Sequence, residues 1–179
     1  PPALTLTCAR GTHTESMPEN IMAALFYAAK PVRIAVENQK SARWVHTVPQ
    51  PLTGKTLGIL GLGVIGQEVA RLASAFGMRV IVWAREATRA RARADGWEVA
   101  ASKEAFFAEC DVLSLHMRLV DATRGIVTAA DLARMKPSAI LINTSRAPLI
   151  APDTALALIR TESGGNPYSI GVVGNTLVR

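Results

Sequence analysis

The sequence is poor in the residues that would mark an unusual class of protein. Cysteine occurs twice, at Cys8 and Cys110, with no CxxC and no histidine at metal-ligand spacing, which argues against a disulfide framework and a zinc site. No apolar run approaches the roughly 18 residues of a membrane span, because charges and glycines interrupt every candidate. No basic-then-apolar leader opens the chain, so the cytoplasm is the expected compartment. Aromatic residues are 5% of the total, and neither interleaved aromatics nor a helix-turn-helix pattern accompanies the net charge of +6. Nucleic acid is therefore not an expected partner. At 19%, charged residues are too few for disorder.

What is present suits one folded α/β domain. Apolar residues make up 49% of 179 residues, enough for a core, and 15 of the 20 cations are arginine, which permits anionic ligands. Ser16-Met17-Pro18-Glu19 reads as a helix start. Ser16 can accept an orphan backbone N–H, Glu19 can reach back, and Pro18 suits a first turn. Ile21, Leu25 and Ala28 then share a face, which predicts a helix over about 17–29. Pro31 should end or kink it, and Val32 and Val36 suggest that it resumes. The stretch from Trp44 to Pro51 carries two prolines and reads as a connector.

From Thr56 the chain alternates short apolar strands with helices. Leu57 to Leu60, Val80 to Trp83, Asp111 to His116 and Ala139 to Asn143 are the strands, and Gly63 to Phe76, Ser102 to Glu109, Ala129 to Met135 and Asp153 to Ile159 the helices. That alternation predicts a doubly wound parallel sheet between two helical layers, a Rossmann-type α/β/α fold. The chain divides into a lead-in helix and connector over 1–50, a core over 52–160 and an atypical tail over 161–179. The tail holds four glycines between Thr161 and Val178, with a weak strand at Ser169 to Val173.

Gly61-Leu62-Gly63-Val64-Ile65-Gly66 is a GxGxxG that follows an apolar strand and opens a helix. In that setting Gly61 allows the tight turn, Gly63 admits a pyrophosphate to the backbone and Gly66 lets helix and strand pack closely. The acidic residue that usually holds the ribose hydroxyls should follow the second strand, where Ala84 and Arg85 stand instead. A 2′-phosphate is then no longer repelled and Arg85 can pair with it, while the nearby Glu86 remains an alternative ribose ligand. Arg89, Arg91 and Arg93 continue the basic run, but alternate residues of a helix do not share a face, so they read as solvated helix surface. His116 and Arg146 each end or follow a strand on the edge where such sheets bind ligands, and an arginine there suits a carboxylate. The plainer reading of both is a strand-terminal polar residue facing water.

These stretches, with Leu52 to Gly63, Ser114-Leu115-His116, Met135-Lys136-Pro137 and Ile142-Asn143-Thr144-Ser145-Arg146, resemble the nicotinamide-binding domain of the D-isomer-specific 2-hydroxyacid dehydrogenases from about Thr5 to Arg160. The resemblance implies NAD(P)-dependent interconversion of a 2-oxoacid and a D-2-hydroxyacid, with dimerisation through this domain. It implies that Gly61, Gly63, Val64, Ile65 and Gly66 hold the pyrophosphate, that Arg85 faces the adenosine ribose and that His116 and Thr144 lie along the nicotinamide. Arg146 would grip the substrate carboxylate and polarise its carbonyl. No metal is implied, and NADP is favoured over NAD.

Three departures accompany the resemblance. The family's separate substrate domain, much of it N-terminal, is not matched, and Ala147 stands where the family has glycine. The family's glutamate before proline and its catalytic histidine find no counterpart past Arg160, with Gly171 and Thr176 in the faint echo of that region. The chain is thus expected to be inactive by itself, as a fragment or an altered gene product. A non-catalytic module that senses NAD(P)H is the alternative reading.

Overall fold

The computed structural model describes residues 11–154 and 172–173. Helix α1 (Ser16–Ala29) lays Ile21, Met22 and Leu25 against the sheet, and α2 (Val32–Lys40) follows directly after Pro31, as the proline predicts. The expected cap at Ser16 does not form. A turn runs straight into the helix, and the N–H groups of Met17 and Glu19 donate to the carbonyls of His13 and Glu15, so the side chain has no orphan donor to satisfy.

The core alternates as expected: β1 (Thr56–Leu60), α3 (Val64–Ala75), β2 (Arg79–Trp83), α4 (Glu86–Ala94), β3 (Glu98–Val99), α5 (Lys103–Glu109), β4 (Val112–Leu115), α6 (Ala129–Leu132) and β5 (Ala139–Ile142). All five residues of β1 are buried, the pattern of a strand covered on both faces. Alternate residues feed two cores. Leu57, Ile59, Val80, Val82 and Val112 meet α1 and α3 on one side. Leu60, Ile81, Leu113 and Leu115 meet Phe106, Phe107 and Leu149 on the other.

The strand order is β3-β2-β1-β4-β5-β6, where β6 is Val172–Val173. Strands β1 to β5 pair in parallel, but β6 pairs with β5 antiparallel, which corrects the all-parallel expectation at the edge. A short edge strand is where a mixed sheet most readily departs from its parallel body. Of the other calls on the end of the chain, the helix over 153–159 lies in the described residues only up to Thr154, and the rest of the tail lies outside them.

The order reverses direction between β1 and β4, and that defines a crevice beyond their carboxyl ends. Leu60 sits level with Trp83 of β2 and with Leu115 of β4, so Gly61, Ala84 and His116 emerge side by side at one rim. The opposite rim is pinned by ion pairs. Arg79 reaches both Glu98 and Glu109, and Lys136 pairs with Asp111 at 2.9 Å while Asp111 Oδ2 accepts the Thr56 N–H at 2.8 Å. Buried Cys110 packs under Gly58, and its burial pushes the thiol up to about 12, so it has no role as a nucleophile at neutral pH.

Candidate functional site

The crevice begins at the glycine turn. Gly61 has φ +96° and its N–H donates to Trp83 O at 2.9 Å, which ties the end of β1 to that of β2. A Cβ there would stand 2.8 Å from Met117 Cγ and 3.0 Å from the His116 carbonyl carbon, so both backbone and space require glycine. Gly63 is different: a Cβ on it would meet nothing within 4 Å. It is the N-cap of α3 and no side chain caps that turn, so the first N–H groups of the helix have no partner within the helix. An anion fits such a cradle, because helix dipole and free donors point the same way.

A cleft of about 470 Å³ opens from this turn, lined by Gly61, Gly63, Ala84, Arg85, Thr88, Arg91, His116 and Arg118 among others, and no carboxylate lines it. Arg85, Arg91 and Arg118 make no ion pair among the described residues. Glu86, the alternative ribose ligand, points elsewhere: it pairs with Arg89 and lies 3.8 Å from Arg93, outside the cleft. The reading of the three arginines as plain helix surface holds for Arg93 but is corrected for Arg91, which donates to Leu62 O at 3.0 Å inside the glycine turn. Arg89 is only part-exposed, with its guanidinium 4.3 Å over the Trp83 ring. Alternate residues do diverge here, and of the three only the middle one lines the cleft.

A second cleft of about 440 Å³ shares His116, Met117 and Arg118 with the first and adds His13, Met17, Ile65, Thr144, Ser145 and Arg146. Its far wall is a loop tied by three hydrogen bonds. Asn143 Oδ1 accepts the Ser145 N–H at 3.1 Å, Asn143 Nδ2 donates to Arg146 O at 3.1 Å, and Ser145 Oγ donates to Leu115 O at 2.7 Å. Arg146 itself is exposed, with extended backbone, and donates to the Ser145 carbonyl at 2.8 Å. Ala147 opens a 3-10 turn, and Ala42 is the one non-glycine with positive φ among the described residues, so alanine at 147 demands no glycine backbone.

His116 stands between the two clefts. Its N–H donates to Leu60 O at 2.8 Å and its Nε2 lies 2.8 Å from Ser114 Oγ. Burial pushes its imidazole down to about 4, so at neutral pH the ring is uncharged. Its half-buried, hydrogen-bonded setting displaces the reading of a residue that only faces water; the exposed Arg146 stays compatible with it. Of the residues singled out from the sequence, Gly61, Gly63, Arg85 and His116 line the first cleft, and Ile65, His116, Thr144 and Arg146 line the second. The Val64 side chain is 66% exposed and turns to an outer groove, so only its main chain reaches the glycine turn. Gly66 is buried beneath Gly61. Thr88, Arg91, Arg118 and His13 were missed. The spacing of Arg85, Thr88 and Arg91 was the available signal for two of them.

Among the described residues no helix is long and apolar enough to cross a membrane, and no cluster of His, Cys, Asp and Glu could hold a metal. The model of the D-isomer specific 2-hydroxyacid dehydrogenase NAD-binding domain matches residues 22–164. Glyoxylate reductase of Aeropyrum pernix is 36% identical over 84% of this chain and 47% of its own length. Hydroxypyruvate reductase of Thermotoga maritima is 32% identical over 90% of this chain and 51% of its own. Among solved structures, a putative D-3-phosphoglycerate dehydrogenase from Ralstonia solanacearum superposes with a TM-score of 0.75 at 42% identity, covering 82% of this chain and 46% of that one. The chain spans about half the length of the curated relatives it matches.

Proposed function

The chain belongs to the D-isomer-specific 2-hydroxyacid dehydrogenase family as its NAD-binding domain, and from that premise we propose that it binds NADP(H) in preference to NAD(H) and serves the interconversion of a small 2-oxoacid and its 2-hydroxyacid. One observation carries the cofactor choice: the cleft beside the glycine turn is lined by Arg85 and further arginines and by no carboxylate. A ribose diol has no acid to clamp it there, whereas a 2′-phosphate meets uncompensated cations. The open space at Gly63 and the uncapped α3 turn fit the pyrophosphate between them. A bound nicotinamide supplies the hydride.

The chain's own residues then bind and orient. Arg146, on the loop braced by Asn143 and Ser145, takes the substrate carboxylate, while Thr144 and the neutral His116 wall the nicotinamide side. The names of the relatives point to glyoxylate- or hydroxypyruvate-sized acids. The protein works in the cytoplasm as a homodimer, and the support for pairing is the exposed apolar surface of Tyr27, Val32, Ile34 and Val36 around α2. Calorimetric titration with NADPH and NADH tests the cofactor reading. NADPH should bind at least about 10-fold more tightly, a ratio lost in Arg85→Ala. Tighter NADH binding that Arg85→Ala leaves unchanged would sink it.

A further inference from the structure

The basic run of α4 is divided by the fold. Arg89 stacks on Trp83 and pairs with Glu86, and Arg93 also approaches Glu86, so both are engaged outside the cleft. Arg91 turns the other way. Its Nη2 donates to the Leu62 carbonyl at 3.0 Å, between the first two glycines of the turn, and it lines the cleft with Arg85 and Thr88. A guanidinium carries five N–H donors in one plane, and the Leu62 carbonyl uses one edge of that fork. No acidic side chain lines the cleft to take the remaining donors.

We propose that Arg91 is a second specificity-determining residue of this cleft, held in place by the Leu62 carbonyl and paired with Arg85 on the 2′-phosphate of the cofactor. This rests on the reading of Arg85 given above. Arg118 also reaches the cleft but comes from the chain after β4 and is shared with the second cleft, whereas Arg85, Thr88 and Arg91 come from one wall. Thr88 lies between the two arginines in sequence and adds a hydroxyl donor. A side chain anchored before the ligand arrives has less rotamer freedom to lose on binding, which favours a tight and selective contact. The anchor also joins α4 to the glycine turn, so the two walls of the adenosine end keep their spacing.

The test is calorimetry on the full chain with NADPH, NADH, 2′,5′-ADP and 5′-AMP, using Arg91→Ala, Arg91→Lys and Arg85→Ala. Circular dichroism and thermal melts check that each variant is folded. Arg91→Ala should weaken NADPH and 2′,5′-ADP about 10- to 100-fold, as expected for loss of a charge-assisted contact, and change NADH and 5′-AMP by less than about 3-fold. Arg91→Lys should recover part of the loss, because it keeps the charge without the fork. Equal weakening of all four ligands would make Arg91 a brace for the glycine turn and overturn the proposal. Loss of preference in Arg85→Ala but not in Arg91→Ala would overturn it while leaving the Arg85 reading intact. A parent chain without preference for the 2′-phosphorylated ligands would overturn both.

Discussion

The carbonyl oxygen of Gly61 lies 2.6 Å from the point where a Cβ on Gly66 would stand. That distance is shorter than any real contact of a Cβ, and the obstructing atom is backbone, held by the Gly61 N–H bond to Trp83. The third glycine of the motif therefore serves the packing of α3 on β1. Gly63, by contrast, has open space around it and an ordinary φ of −84°.

The two glycines should separate in experiment. Gly66→Ala forces α3 away from the turn, and overpacking of this kind costs about 1–3 kcal/mol. For a domain of this size that corresponds to a drop in Tm of roughly 2–12 °C. Gly63→Val should melt within about 2 °C of the parent and yet lose NADPH binding by more than about 10-fold, because its side chain fills the pyrophosphate space. Parallel thermal melts and titrations check this. Normal binding by Gly63→Val would contradict the cradle.

The same motif shows why some of the site could be read in advance and some could not. GxGxxG between an apolar strand and a helical stripe is local information, and β1, α3 and the turn follow from it. The strand β3 is two residues long with an exposed Glu98, too little periodicity to detect. The antiparallel direction of β6 is a property of chain return, which no residue pattern in Val172–Val173 encodes. The spacing of Arg85, Thr88 and Arg91 puts them on one face of α4, but spacing alone does not assign that face to the cleft. Helical geometry tells which residues share a face, but which face meets the glycine turn depends on how α4 lies across the sheet.

His116 should titrate far below an ordinary histidine. Burial favours the neutral ring and lowers its pKa to about 4, against 6.5 for the free side chain. Between those values the unfolded chain binds a proton that the folded chain refuses, so stability falls as pH drops through that window and is level above it. NMR titration of the ring protons reads the value directly. Urea melts of the parent and His116→Gln, at pH 7 and pH 5, read the linkage, and the variant should lose less stability over that interval. A midpoint near 6.5 in the folded protein would refute the buried, neutral assignment.

Asp131 joins α5 to α6. Its Oδ2 accepts from Lys103 Nζ at 2.7 Å, from Thr128 N at 2.9 Å and from Thr128 Oγ1 at 2.8 Å, and Lys103 also donates to Ile126 O at 2.8 Å. Burial alone would raise its carboxyl, but the Lys103 ammonium and the Thr128 donors outweigh that and hold it below the usual carboxylate range. A depressed folded pKa stabilises above the unfolded value of 3.8 and loses that stability as pH falls through the folded value. Asp131→Asn should cost about 1.5–3 kcal/mol at pH 7, by loss of charged hydrogen bonds. The gap between parent and variant should narrow towards pH 3 in urea melts. A constant gap across that range would show that ionisation of Asp131 contributes nothing.

The chain itself should bind cofactor without reducing a 2-oxoacid. Reduction needs a hydride on carbon and a proton on oxygen, and general acid catalysis contributes about 10²–10⁴-fold. His116 faces the second cleft, but with its pKa pushed down to about 4 only on the order of one ring in a thousand carries a proton at pH 7. Arg146 can attract a carboxylate, but its guanidinium serves as a hydrogen-bond donor and not as a proton source. His13 lines the same cleft and is the remaining candidate acid among the described residues, but it is exposed to solvent ahead of α1. Spectrophotometric assays of NADPH and NADH oxidation with glyoxylate and hydroxypyruvate should therefore match the protein-free blank. A saturable rate that disappears in His13→Ala would reverse this expectation and assign the proton to His13, and one that disappears in His116→Gln instead would return it to His116.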